Sequence, residues 1–182
     1  MLSRRKALRL KCYDYAAVGA YFVTVCVFEK MCILGDIVHG QMREYDHGRV
    51  IHDIWDQLPQ RYGNIKLDHC VMMPNHFHGI VMITNTDVGA GSPGPDGSPG
   101  PLMTGGETPP LRPTLSRVMG YFKYETTKRI NGMRNTPGMK LWQRSFYDRV
   151  IRDEREWNDI RQYIAYNPAL RQRLEALEKR IK

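Results

Sequence analysis

The run "AYFVTVCVF", residues 20–28, constrains the fold of this chain more than any other stretch. Its residues are β-branched and aromatic, which suits a pleated strand. Both positions of the two-residue repeat are apolar, so the strand belongs in the middle of a sheet. Arg4, Arg5, Lys6, Arg9 and Lys11 precede it, an order that resembles a secretory leader. Tyr13, Asp14 and Tyr15 interrupt that pattern, and Glu29-Lys30 follow with no small-residue cleavage site. The run is also too short to cross a membrane as a helix. The expectation is a cytoplasmic protein without a membrane partner.

The remaining elements fall into order around this strand. "CILGDIVHGQMREYDHGRV" alternates in short runs broken by Gly, which predicts a strand pair or an extended loop. Val50, Ile51, Ile54 and Leu58 have helical spacing, in a helix that ends near Pro59. "IKLDHCVMM" and "HFHGIVMI" are further strands, joined by a turn at Pro74-Asn75. Residues 114–131 read as a helix with Val118, Phe122 and Ile130 inward. "KLWQRSFYDRVIR" holds a short strand. Asp153 caps a helix whose buried face is Trp157, Ile160 and Ile164 and which Pro168 stops or kinks after Asn167. A last basic helix follows. These elements predict an α+β fold, an antiparallel sheet with helices on one face.

One segment does not fit a core. Residues 87–113 contain seven Gly and seven Pro. Such a stretch buries too little apolar area to offset its ordering entropy, so it is expected to be a flexible insert within a single domain spanning 1–182. The four cysteines form no C-x-x-C pair and read as reduced thiols. Charge is uneven. Residues 111–182 carry 17 Lys and Arg against 8 Asp and Glu, whereas residues 1–110 carry 10 against 11. A basic half suggests a polyanion, usually nucleic acid.

The chemistry centres on "MPNHFHGIV". On a strand, His76 and His78 share a face and Phe77 takes the other. Two imidazoles one pleat apart can converge on a metal. A bare His-x-His is also what two hydrogen-bonded histidines on a half-exposed strand look like. Two ligands make a poor site, so a third is sought. Tyr163 and Asn167 lie one helical turn apart, beside the Ile160–Ile164 stripe. Asn167 can offer an amide oxygen, and Tyr163 a free hydroxyl. Alternatively, Tyr163 is an interfacial tyrosine and Asn167 a helix C-cap before Pro168.

Four blocks occur in order: "LRLKCYDYAAVGAYFVTVC", "LDHCVMMPNHFHGIV", "LWQRSFYDRVIRDE" and "YIAYNP". Together they resemble the REP-associated tyrosine transposases, in the superfamily of HUH endonucleases. The likeness spans nearly all of the chain except the Gly/Pro insert.

The resemblance implies a ferredoxin-like α+β core with the nucleophile on a C-terminal helix. It implies His76, His78 and Asn167 as ligands of a divalent metal, Mg or Mn, and Tyr163 as the nucleophile. Tyr147 is a weaker rival, and Tyr166 points elsewhere on the helix. The implied substrate is single-stranded DNA bearing a REP-like hairpin, cut and rejoined through a 5′-phosphotyrosine link. Arg117, Lys123, Lys128, Arg129, Arg144, Arg149 and Arg152 are expected phosphate contacts. Tyr121 or Tyr124 would stack on unpaired bases, while Phe146 is better placed in the core. The implied location is the nucleoid, and the implied state a monomer or homodimer. Two other readings stand beside this one. One is a domesticated hairpin-binding protein that no longer cuts. The other is a water-using nuclease, for which Asp159 is the placed carboxylate.

Overall fold

The computed structural model describes residues 17–85 and 114–181. The Gly/Pro insert and the basic N-terminal residues lie outside them.

The apolar run forms β1 (Gly19–Cys26), an inner strand of a four-stranded sheet. A hairpin follows, β2 (Gly35–Val38) and β3 (Gln41–Glu44), so the strand pair forms and not the loop. Its turn puts His39 and Gly40 at φ 52° and 76°, the left-handed geometry of a two-residue hairpin. Helix α1 (Asp46–Asp56) starts before the first apolar position, and α2 (Leu58–Arg61) carries Pro59 in its first turn. Proline is tolerated there because that N–H has no intrahelical partner. Then come β4 (Ile65–Met73) and β5 (His76–Ile83). The second half adds α3 (Leu115–Arg134), β6 (Tyr147–Ile151) and α4 (Glu154–Ile181).

The main sheet is antiparallel, in the order β4-β5-β1-β6. β1 and β5 are the inner pair, as their apolar character requires. Strand alternation divides the core in two. Tyr21, Val23, Val25, Phe77, Val81 and Ile83 face α1 and α3. On that side Trp55, Phe77 and Phe122 meet with ring centroids 4.7–5.5 Å apart. Gly79 makes this packing possible, since a Cβ there would lie 2.4 Å from Trp55. Ala20, Ile80 and Ile151 face the other way, against Ile160 and Ile164 of α4. The expectation of helices on one face thus holds for α1 and α3, while α4 covers the opposite face. The sheet is apolar on both sides, and a single helical layer would leave one side wet.

Helix α4 also corrects the expected end at Asn167. It continues through Pro168, which is buried. A proline in a helix forfeits one backbone bond, and tertiary contacts hold the helix together here. The β2–β3 turn packs on its second half, with the space above Gly40 bounded by Ala169 and Gln172. At its start Asp153 accepts from the Glu156 N–H at 2.8 Å, the predicted cap.

Candidate functional site

The face of the sheet under α4 carries both histidines. His76 pairs with Cys26 across β1, and His78 with Thr24. The rings sit 4.7 Å apart, nearly perpendicular. His78 stacks on Phe22 at 5.2 Å, which sets its plane. Each Nδ1 has a partner. His76 Nδ1 lies 2.7 Å from the side-chain Oδ1 of Asn75 and must donate to it. His78 Nδ1 lies 2.8 Å from Thr24 Oγ1. With its proton on Nδ1, His76 keeps its Nε2 lone pair for another group, while His78 Nε2 faces the Tyr163 hydroxyl at 3.4 Å. A metal-bound histidine is oriented in the same way, by an acceptor behind its far nitrogen.

Burial keeps both rings neutral. His76 falls to about 4, first from desolvation and then from the Arg171 charge. His78 falls to about 3, from desolvation and then from His76. Neutral imidazole is the metal-binding form.

Tyr163 comes from α4. Its hydroxyl lies 3.4 Å from His78 Nε2, and its ring meets His78 and Phe22 edge-on. The residue is 44% exposed. Asn167, one turn on, is buried, and its amide nitrogen has no hydrogen-bond partner. Arg171, a further turn on, is close enough to His76 to act on its charge. The stripe Tyr163–Asn167–Arg171 therefore runs from over His78 to over His76, with Asn167 between. Among the described residues no third His, Cys, Asp or Glu joins the pair. The residues that could hold a divalent metal are the two imidazoles, with the Asn167 side-chain oxygen as the expected third ligand; the atom left without a partner there is the amide nitrogen, which does not ligate a cation.

Asp68 locks α4 onto β4. It accepts from Trp157 Nε1 at 2.5 Å and Arg161 Nε at 2.8 Å. Burial raises its pKa, but hydrogen bonds from His69, Trp157 and Arg161 outweigh that and hold it low. Asp68, Thr24, Asn75 and Phe22 were not singled out from the sequence. A lone Asp, Thr or Asn in a strand or turn carries no signal until its partner from a distant element is seen.

The other predicted residues scatter. Tyr147 pairs with Thr24 across β1 and β6, so it shares the histidine face but stands two strands away from His78. Tyr166 is exposed. Lys123 is half-buried, with its ammonium on the carbonyls of Gln143 and Arg144 at 2.6 and 2.9 Å. Arg129 pairs with Glu125, and Arg149 with Glu156. Arg117, Lys128, Arg144 and Arg152 are exposed. Phe146 is buried, as expected, and Tyr121 lies under Arg61. Tyr124 is exposed beside a cavity of about 910 Å³ between α3 and residues 135–144. Lys128, Lys140 and Arg144 also line it. Backbone bonds link this region to the histidine end of the sheet: Phe28 to Leu141, and Val27 to Asn75.

No protein-family model matches the chain. The architecture is that of a REP-associated tyrosine transposase solved bound to a REP hairpin. The match has a TM-score of 0.52 at 14% identity, over 90% of this chain and 73% of that one. In sequence the chain is 31% identical to an uncharacterized Haemophilus influenzae protein over 172 residues, 93% of this chain and 91% of the relative. It belongs to the family of that protein.

Proposed function

We propose that this protein is a transposase-type endonuclease that cuts and rejoins single-stranded DNA beside a REP-like hairpin, with Tyr163 as nucleophile. The observation that carries the reading is the Tyr163 hydroxyl 3.4 Å from His78 Nε2, on a helix that crosses the His76–His78 pair. His76, His78 and the Asn167 amide oxygen are the residues that would hold Mg or Mn. Such an ion supplies charge neutralisation at a phosphate and polarises the phosphorus.

A free phenol ionises near 10 and is a poor nucleophile at neutral pH. The protein's own part is to hold it in place. Phe22 and His78 fix the ring, and Asp68 fixes the helix that carries it. Tyr163 Oη bonds to phosphorus as the bond to the 3′ oxygen breaks. The phenolic proton ends on that oxygen, leaving a 5′-phosphotyrosine and a free 3′-OH. The link keeps the energy of the phosphodiester, so rejoining needs no ATP. Exposed Lys128 and Arg144, with Tyr124, offer a path for the unpaired strand along the cavity by α3.

The test is an SDS-resistant adduct with labelled hairpin DNA and Mn. Wild type forms it; Tyr163→Phe binds the DNA but forms none. Chelation abolishes the adduct and largely spares binding. An adduct on Tyr163→Phe overturns the nucleophile. Cutting without adduct favours the water-using nuclease through Asp159, and binding alone favours a non-cleaving hairpin-binding protein.

A further inference from the structure

The opposite face of the sheet carries a second chemical cluster, unrelated to Tyr163. His52 of α1 lies between Cys70 of β4 and Glu44 of β3. Its Nε2 is 3.4 Å from Cys70 Sγ, and its Nδ1 is 3.2 Å from Glu44 Oε1. The two ring nitrogens point in opposite directions, so the three side chains form a relay and do not converge on one ion. That matches the absence of any three-residue metal cluster among the described residues. A nucleophile, a base and a carboxylate that orients the base are the parts of an activated thiol.

We propose that Cys70 is a reactive thiol, activated by His52 and Glu44, that exchanges with low-molecular-weight disulfides. Three facts support this assignment. The sulfur's partner is a histidine ring, whose cationic form stabilises a thiolate beside it. Glu44 fixes the ring and stabilises its cationic form. The sulfur is not sealed in the core, since Cys70 is partly buried and its partner His52 is 41% exposed in its side chain. The hydrogen bond to Cys70, then that to Glu44, raises His52 to about 10, which is consistent with an imidazolium beside the sulfur.

Cys26 and Cys32 have no such relay. Burial raises the Cys26 thiol, and Cys32 is exposed.

The small disulfide is itself the oxidant, reduced to one thiol as Cys70 is oxidised. Cys70 Sγ attacks one sulfur of the disulfide, and the S–S bond breaks. The thiol proton passes through His52 to the departing thiolate. The products are a mixed disulfide on Cys70 and one free small thiol.

The experiment uses the full chain with oxidised glutathione as the probe at about pH 6, where an ordinary thiol is scarcely ionised. Peptide mass mapping reports the site and the rate. The expected result is a glutathione adduct on Cys70, forming about ten-fold faster than on exposed Cys32. His52→Gln, shown folded by near-UV circular dichroism, should slow Cys70 by about ten-fold and leave Cys32 unchanged. Glu44→Gln should slow it less. Reaction at Cys32 first, no adduct at Cys70, or an unchanged Cys70 rate in folded His52→Gln would each overturn the assignment.

Discussion

At the scale of residues, His76 and His78 are held neutral in the fold by burial. The unfolded chain protonates them near 6.5, whereas the folded chain does so only near 4 and 3. Between these values the unfolded state binds more protons, so stability rises with pH. The loss therefore begins as pH falls through 6.5 and continues towards 4. Each histidine adds about 1.4 kcal/mol per pH unit to the slope. His52 is shifted the other way and contributes no slope below about 6.5. Urea unfolding of metal-free protein between about pH 6 and pH 5 measures it. Replacing both rings (His76→Asn with His78→Asn) should flatten the dependence; an equal slope in that variant would refute buried neutral imidazoles.

At the scale of elements, α4 is the component that makes a site. Alone it is a helix with a proline inside and exposed Leu170, Leu174 and Leu177. Its position comes from Ile160 and Ile164 on the sheet and from Asp68 holding Trp157 and Arg161. Hydrogen bonds to a charged partner contribute about 1.5–3 kcal/mol. Asp68→Ala should therefore cost about 2 kcal/mol in urea unfolding and weaken adduct formation by Tyr163. Exposed Asp53→Ala is the control and should stay within about 0.5 kcal/mol of wild type. If the two variants match, Asp68 does not anchor the helix. Strand β5 shows the complementary case. In "HFHG", two histidines face α4, while Phe77 packs on Trp55 and Gly79 makes room for it. One four-residue stretch therefore serves the site and the core on opposite faces.

At the scale of the whole molecule, charge and architecture divide the labour. The basic second half supplies α3, whose exposed Lys128 lines the cavity with Arg144 and Tyr124. No described helix is long and apolar enough to cross a membrane. Phosphate contacts release counterions, so hairpin binding should weaken steeply with salt. The Lys128→Gln, Arg144→Gln pair should lower the slope of log K against log salt by about 1.4, at about 0.7 for each single-strand phosphate lost. Fluorescence anisotropy across a salt series reads this directly, and an unchanged slope would remove the cavity from the DNA path.

The sequence alone determined most of the elements and which candidate residues share a face. Alternation put His76 and His78 on one strand face, and helical spacing put Tyr163 beside Asn167. Periodicity is local, and it survives whatever the rest of the chain does. Only the tertiary structure decided which face α4 covers, that the helix passes through Pro168, and that Thr24, Asn75 and Asp68 orient the groups the motif names. It also turned Lys123 onto two backbone carbonyls and brought Glu44, His52 and Cys70 into one line. These are pairings between distant segments, set by how two sheet faces are packed, and no spacing along the chain encodes them.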